Sequence, residues 1–189
     1  VDFATEKIAC GTLNGNVILI DNYNSDSVGQ KIIYNHNNNS ILCLAFVPGK
    51  DWLISSSRDK TIRIWDMKQQ NTVKELLLDE PVQKFLLIQS DHLVYANSSG
   101  QILQWDLKDI NQEPGIIYSD ENRRPFQTIA YNAYHEWMAV ASLGNIMIFT
   151  YNPDNNENLK SGMFIAKHKG VISQMDFSPD NNWLVSGSQ

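Results

Sequence analysis

A short motif recurs along this chain at an almost constant interval, and this recurrence constrains the fold more than any other feature of the sequence. The copies share an apolar stretch that ends in Asp or Thr: GNVILID ends at Asp21, KTIRIWD at Asp66, GQILQWD at Asp106 and GNIMIFT at Thr150. The intervals are 45, 40 and 44 residues (21 to 66, 66 to 106, 106 to 150). Repeats of this length are typical of a chain built from successive copies of one small structural unit.

Two further patterns recur in the same order and at nearly the same interval. The first is an apolar triplet at positions i, i+3 and i+5, found in four copies: Ile41, Leu44 and Phe46; Val82, Phe85 and Leu87; Phe126, Ile129 and Tyr131; Ile172, Met175 and Phe177. The second is a short run of small and apolar residues that starts at Ile8, Leu53, Leu93, Met138 and Leu184. Three patterns in one register indicate that most of the chain consists of copies of one unit.

Each unit is predicted to contain four short β-strands. The triplet marks the first strand, the small apolar run marks the second, and the Trp-Asp motif marks the third, while the fourth has the weakest signal. Turn-forming residues follow the first strand, as in VPGKD at 47–51 and SPDNN at 178–182. No segment keeps the periodicity of an amphipathic helix. Many short strands at even spacing indicate an all-β, closed or radial architecture.

Charge and hydropathy argue against several classes of protein. The formal net charge is −6, whereas binding to DNA or RNA needs a basic face. No apolar run reaches the roughly 18 to 20 residues that span a bilayer, so no membrane partner is expected. The first ten residues lack the basic and apolar regions of a signal peptide. Cys10 and Cys43 fit no disulfide framework or zinc motif, so we expect buried free thiols and a cytoplasmic location.

The strongest copy of the unit resembles a WD repeat, the building block of the WD-repeat β-propeller family. This copy runs over 35–68 and supplies the polar residues of the family's pattern: His36, Ser55 or Ser57, Asp59, Trp65 and Asp66. The copy at 167–189 supplies His168 and then Ser186 or Ser188. The likeness extends over essentially the whole chain, and the other copies are more degenerate.

The resemblance implies an all-β fold, a β-propeller of four-stranded antiparallel blades that forms an incomplete ring in this chain. Residues 1–189 would then be one segment of a propeller. Its approximate repeats would be 1–35 (partial), 36–78, 79–118, 119–166 and 167–189 (partial). Most family members have more repeats than these. We therefore expect the remainder of a longer chain, or another copy, to close the ring and cover strand edges that otherwise invite aggregation.

The Ser, His and Asp residues of the strongest copy can be read as a catalytic triad or as a structural network. A nucleophilic serine needs an exposed, strained position and an oxyanion hole, and the chain has no G-x-S-x-G motif. In the WD-repeat family the same residue types form a buried hydrogen-bond network that braces a blade. We assign this structural role to His36, Ser55, Ser57, Asp59, Trp65 and His168. We predict no catalytic residue, no metal site and no cofactor.

Members of the family commonly bind partners through loops on one face of the propeller. The corresponding loops here carry polar and basic side chains: Asn37, Asn38, Asn39, Arg58, Arg123, Arg124, Lys167 and Lys169. Arginine is frequent at the energetic centres of protein interfaces. The pair Arg123-Arg124 can bind an acidic motif or a phosphate, or it can pair with its own acidic neighbours at 120–121.

We therefore expect a non-catalytic scaffold or sensor module that binds other proteins or peptides, in a signalling assembly. The alternative is a hydrolase-like propeller enzyme with a site at the central channel, although the predicted inner strands offer mainly small and apolar residues. A nucleic-acid reader is the third alternative, and the negative charge disfavours it. His92 and His135 have no second ligand at metal spacing, so we expect both in surface loops or turns.

Overall fold

The computed structural model describes residues 7–21, 29–154, 159 and 162–188 of the 189 residues. The described residues form seventeen β-strands and no helix. The described residues therefore include no helix that could cross a membrane. The chain divides into two compact units, residues 1–83 and 84–189, which are described separately.

The first unit contains two antiparallel sheets in which every strand pairs with its neighbour in sequence. The first sheet consists of β1 (Lys7–Gly11), β2 (Asn16–Asp21) and β3 (Gly29–Asn35), in that order. By their sequence patterns these are the second, third and fourth strands of a unit. The second sheet consists of β4 (Ile41–Val47), β5 (Trp52–Ser57), β6 (Thr61–Asp66) and β7 (Asn71–Leu77), in that order. The second sheet is thus a complete four-stranded meander.

The second unit contains three further antiparallel meanders. The third sheet consists of β8 (Phe85–Ile88), β9 (His92–Ala96), β10 (Gln101–Asp106) and β11 (Gly115–Ser119). The fourth sheet consists of β12 (Phe126–Asn132), β13 (Trp137–Ser142), β14 (Asn145–Thr150) and β15 (Met163–Lys167). The fifth sheet consists of β16 (Ile172–Phe177) and β17 (Leu184–Ser188).

The strands lie where the repeated patterns predict them, and the all-β class is confirmed. The apolar triplets lie on the first strands, except that Val82 precedes β8. The predicted boundaries after residues 35 and 78 fall between sheets. Those after residues 118 and 166 each fall one residue before the end of a strand, because the sequence signal of the fourth strand is weak.

The second strands β5, β9 and β13 are runs of small and apolar residues, and both of their faces are buried. In β13, Met138 and Val140 belong to a core cluster that also takes in residues of the third sheet. Ala139 and Ala141 belong to a separate cluster with residues of the fifth sheet. Successive side chains of a strand point to opposite faces. Alternate residues of β13 therefore contribute to two different hydrophobic cores.

The meander topology gives each sheet two ends with different loops. Because neighbouring strands are antiparallel, the first-to-second and third-to-fourth connections share one end, here called the lower end. The second-to-third connection and the link to the next sheet share the opposite end, here called the upper end. The loops predicted to bind partners are all upper-end loops.

Candidate functional site

One backbone hydrogen bond recurs at the upper end and identifies equivalent positions in the repeats. The residue that follows a fourth strand donates its N–H to the turn between the second and third strands, at 2.6 to 2.9 Å. The pairs are His36 to Gly15, Leu78 to Lys60, Asp120 to Gly100 and His168 to Gly144. His36, Leu78, Asp120 and His168 therefore occupy one structural position, here called the linker position.

His36 and Ser55 lie at the centre of a buried hydrogen-bond network in the first unit. His36 Nε2 lies 2.7 Å from Ser55 Oγ, and His36 Nδ1 lies 3.1 Å from Asp59 Oδ2. Asp59 Oδ1 accepts the hydroxyl of Thr61 at 2.7 Å and its backbone N–H at 3.0 Å. The relative exposure of His36 and of Ser55 is 0%.

Tyr34 sets the direction of this network. Its hydroxyl donates to Ser55 Oγ at 2.6 Å, so the Ser55 hydroxyl is free to donate to His36 Nε2. His36 then carries its proton on Nδ1 and donates to Asp59. The tyrosine ring lies 5.1 Å from the Trp65 ring, centroid to centroid. Tyr34 is thus the donor to Ser55, a role that the sequence patterns did not reveal.

The electrostatics of the network fit a neutral histidine beside an ionised carboxylate. Burial lowers the pKa of His36, and the nearby Asp59 only partly opposes this effect. Burial raises the pKa of the Asp59 carboxyl, but the hydrogen bonds that it accepts from Thr61 and His36 oppose this effect, and the pKa lies below its ordinary value. A neutral imidazole with Nδ1–H agrees with the donor order that starts at Tyr34.

Ser57 connects the network to the predicted partner loop. Its hydroxyl donates to the Asn39 carbonyl at 3.1 Å and accepts the backbone N–H of Asp59 at 3.2 Å. The same strand thus fixes the histidine through Ser55 and the asparagine loop through Ser57, because residues two apart lie on one face.

The Ser55, His36 and Asp59 side chains have the order of a hydrolytic triad but lack the access that hydrolysis requires. A serine nucleophile must meet a substrate carbonyl and an oxyanion hole, whereas Ser55 and His36 have no exposed surface. Ser55 also accepts the hydroxyl of Tyr34. What this arrangement can do is to satisfy buried polar groups and hold the upper-end loop on the sheet.

Each of these repeats has either both members of the His–Ser pair or neither of them. The middle residue of the apolar triplet faces Ser55 in the second sheet, Tyr95 in the third, Val140 in the fourth and Ser186 in the fifth. Serine at this position occurs with histidine at the linker position, and His168 Nε2 lies 2.7 Å from Ser186 Oγ. Leu78 and Asp120 replace the histidine where serine is missing. A half-satisfied buried network is worse than an apolar contact, which explains the joint loss.

Asp120 uses the linker position to organise a different loop. It is 3% exposed, and its Oδ2 accepts the backbone N–H groups of Asn122 and Arg124 at 3.1 and 3.0 Å. The Arg124 guanidinium also donates to it, from Nε at 3.1 Å. The hydrogen bond from Arg124 holds the pKa of Asp120 below its ordinary value. Of the two alternatives for this loop, Arg124 takes the pairing with its own neighbour, while Arg123 is exposed.

The other predicted partner residues lie at the upper ends of two sheets. Asn37, Asn38, Asn39 and Arg58 are exposed at the second sheet, and the Arg58 N–H donates to the Ser40 carbonyl at 2.9 Å. Asn37 and Asn38 have φ of 47° and 60°, a backbone conformation that asparagine tolerates. Lys169 is exposed after β15. The side chain of Lys167 lies outside the described residues.

Two expectations about single residues were wrong. His92 is the first residue of β9 and is 5% exposed, because Gln104 and the loop that contains Asp154 lie against it. Cys10 is exposed on β1, although both cysteines are free thiols. His135 is exposed in the turn before β13, as expected. No group of three His, Cys, Asp or Glu side chains within the described ranges is arranged to hold a metal ion.

Comparison with known proteins finds a family model that matches two segments of the chain. The family model "WD domain, G-beta repeat" matches residues 29–66 and 160–189, which contain the two His–Ser pairs. The chain is 28% identical over 186 residues to Target of rapamycin complex subunit wat1 of Schizosaccharomyces pombe, covering 97% of this chain and 58% of that protein. It is 27% identical to Target of rapamycin complex subunit LST8 of Bos taurus, covering 87% and 52%.

Two further comparisons find a similar sequence and a similar fold. WD repeat-containing protein 82 of Drosophila melanogaster is 22% identical, over 78% of this chain and 47% of that protein. A chain in a solved structure, "Crystal Structure of Mitotic Checkpoint Complex", superposes with a TM-score of 0.76 at 16% identity, covering 97% of this chain and 56% of that chain. This chain thus spans about half the length of these relatives.

The repeated meanders and the two His–Ser pairs resemble those of WD-repeat proteins. Residues 29–66 and 160–189 match the WD-repeat family model, and the fold is all-β with four-stranded antiparallel blades of the β-propeller type. The predicted fold class and the resemblance are both confirmed.

Proposed function

We propose that the chain is a non-catalytic protein-interaction scaffold or sensor module that binds partner proteins or peptides through its upper-end loops. The observation that carries the proposal is an exposed polar loop fixed on a buried network. The Asn39 carbonyl accepts the hydroxyl of Ser57, and the same strand holds His36. A loop that is already ordered loses little conformational entropy when it binds a partner.

Arg58 and Arg123 are exposed arginines of upper-end loops, one in each unit, and we assign them direct contacts with partners. Arginine presents several N–H donors in a planar arrangement that fits a carboxylate. Arg124 has a positioning role in this proposal, because its guanidinium is already bound to Asp120. The asparagines at 37–39 and the lysines at 167 and 169 complete the set.

The names of two relatives support a role inside a protein assembly. Both wat1 and LST8 are named as subunits of the Target of rapamycin complex. By analogy we propose that this chain also works within a multiprotein complex, in the cytoplasm and in signalling. Further strands of the same polypeptide, or another copy, would close the ring. The hydrolase alternative gains nothing from the triad-like residues, because these are buried.

Affinity capture with matched variants tests the proposal. We expect Arg58→Ala and Arg123→Ala to lower the recovery of specific partner proteins, quantified by mass spectrometry, by about fivefold each, as truncation of interface arginines commonly does. Lys68→Ala is the control, because Lys68 is exposed in the lower-end turn of the same sheet as Arg58. Equal recovery with the arginine variants and the control would remove the upper-end loops from the proposal.

A further inference from the structure

The turn between β12 and β13, at the lower end of the fourth sheet, carries exposed aromatic side chains in a fixed stack. The Tyr134 ring meets the His135 ring edge-on, with centroids 4.8 Å apart and planes at 88°. His135 stacks on Trp137, with centroids 4.4 Å apart and planes at 19°. Tyr134 is 78% exposed and Trp137 is 41% exposed. Large aromatic rings left in water side by side are a common sign of a binding surface.

A buried asparagine holds this aromatic turn in shape. Asn132 is 1% exposed, and its Oδ1 accepts the backbone N–H groups of Tyr134 and His135, both at 3.0 Å. Its Nδ2 donates to the Asn181 carbonyl at 3.2 Å, which ties the turn to the lower-end turn of the fifth sheet. The rings are therefore positioned before any partner arrives, which lowers the entropic cost of binding.

Direct contacts join the lower-end turns of the second unit into one surface. The Asn152 side chain donates to Glu136 Oε1 at 3.0 Å, which places the loop after β14 beside the aromatic turn. Two residues further, Asp154 Oδ1 lies 3.6 Å from His92 Nε2, and Asp91 Oδ1 lies 3.4 Å from the same nitrogen. The turns of the third, fourth and fifth sheets thus adjoin one another.

This surface is acidic, and the upper end of the same unit is not. The described residues of the lower-end turns include these carboxylates: Asp91, Asp109, Glu113, Glu136, Asp154 and Asp180. Their one lysine, Lys108, is already paired with Asp91 at 2.6 Å. The described upper-end loops of this unit carry two acids and three bases: Asp120, Glu121, Arg123, Arg124 and Lys169. The negative charge is therefore specific to the aromatic end.

A buried donor without a partner faces the same carboxylates. Gln104 Nε2 donates to His92 Nδ1 at 3.0 Å and to the Pro153 carbonyl at 3.2 Å, while the Tyr151 hydroxyl donates to Gln104 Oε1 at 2.6 Å. These bonds fix the amide orientation, so His92 carries its proton on Nε2. His92 is 5% exposed, and its Nε2 has no hydrogen-bond partner among the described residues. A buried orphan of this kind marks a polar network that a further group can complete.

We propose that this acidic and aromatic surface, formed by the turns at 89–91, 107–114, 133–136, 151–154 and 178–183, binds an arginine- or lysine-bearing peptide segment of a partner protein. A cation is attracted to the face of an aromatic ring, and Glu136 and Asp154 offer carboxylates for charge-assisted hydrogen bonds. The unpaired His92 N–H lies beside the carboxylates of this surface, 3.4 Å from Asp91 Oδ1 and 3.6 Å from Asp154 Oδ1. The site does not depend on the upper-end loops proposed above.

Fluorescence anisotropy with short labelled peptides tests the proposal on the whole chain. One peptide alternates glycine with arginine, and its matched control carries glutamine in place of arginine. We expect the arginine peptide to bind and the glutamine peptide not to bind. Tyr134→Ala and Glu136→Gln should each weaken binding by about threefold or more, as the loss of an exposed cation–π contact or an ion pair does. Tyr134→Phe keeps the ring and should stay within about twofold of the native affinity.

Matched controls separate the proposal from its competitors. Glu121→Gln removes an exposed carboxylate at the upper end and should leave the affinity unchanged, whereas an equal loss would indicate only non-specific charge attraction and overturn the site. Full affinity in Tyr134→Ala would overturn the role of the aromatic stack. Self-association of the native chain that Tyr134→Ala abolishes would assign the surface to a second copy. Failure of the Arg58 capture experiment would not affect any of these results.

Discussion

His36 Nε2 lies 2.7 Å from Ser55 Oγ at a place where neither side chain has exposed surface. The same distance separates His168 Nε2 from Ser186 Oγ more than a hundred residues later. The same contact thus recurs in two repeats of a single chain. The shared contact connects the end of one sheet to the second strand of the next, which is what a structural brace requires.

Ser55→Ala should lower the free energy of unfolding by about 2 kcal/mol, because it leaves two buried groups without a partner. These groups are the Tyr34 hydroxyl and His36 Nε2. Urea denaturation followed by tryptophan fluorescence measures the change. The matched control is Ser119→Ala, since Ser119 is exposed on β11. If the two variants were equally stable, the network would have no bracing role.

Stability should fall as the pH drops below 6.5, the ordinary pKa of histidine. Burial lowers the pKa of His36 in the folded state, so the unfolded chain binds a proton that the folded chain does not. The free energy of unfolding therefore decreases with falling pH in this window. The lowered pKa of Asp59 adds a second loss only at pH values below 3.8.

His36→Gln is the variant that isolates this pH effect. Glutamine can accept from Ser55 and donate to Asp59 but does not titrate. The other histidines remain in both proteins, so the difference between the two pH profiles belongs to His36 and its neighbours Asp59, Arg63 and Glu75. We expect a shallower slope between pH 7 and 5 in the variant. Identical slopes would mean that His36 is solvated and protonates freely.

Asp66→Ala should lower the free energy of unfolding by about 1 kcal/mol, through loss of a turn contact. Asp66 Oδ1 accepts the backbone N–H groups of Lys68 and Gln69 at 2.9 and 2.8 Å, which fixes the turn after β6. Asp66→Asn retains an oxygen acceptor and should restore most of the stability. Thermal unfolding of both variants distinguishes this capping role from a charge effect, in which the asparagine would fail as well.

Gly144→Ala should lower the free energy of unfolding by about 2 kcal/mol because of overpacking. An added Cβ would collide with the His168 carbonyl oxygen and approach the Gly170 carbonyl oxygen to 3.1 Å. Gly115→Ala is the control, because nothing lies within 4 Å of its added Cβ. Denaturant unfolding curves should therefore separate the two alanine variants. If they coincided, the close approach at the linker position would be absent in solution.

The strand positions could be predicted because each strand repeats with its own pattern. β13 is an example. Its alternate apolar residues pack into two cores, so the run MAVAS has a recognisable counterpart in the other repeats. The fourth strands are largely exposed: in β11, two residues are half-buried and the other three are exposed. Their sequence signal is correspondingly weak, and two repeat boundaries fell inside strands.

The contacts between loops could not be predicted, because they depend on which side chains meet across the sheet. Tyr34 precedes His36 by two residues and so shares its face, but no repeated pattern marks it as the donor to Ser55. The burial of His92 depends on Gln104 and on the loop at 153–154, which are distant in sequence. For the same reason, the sequence alone did not show whether Arg124 binds a partner or pairs with Asp120.

The most direct test of the central claim is labelling of the native chain with a fluorophosphonate, a reagent that modifies activated serines, followed by peptide mass spectrometry. If the His36, Ser55 and Asp59 side chains only brace a blade, Ser55 will remain unmodified while a serine protease in the same tube is labelled. An adduct on Ser55 that disappears in His36→Ala would show an accessible, activated nucleophile and contradict the account.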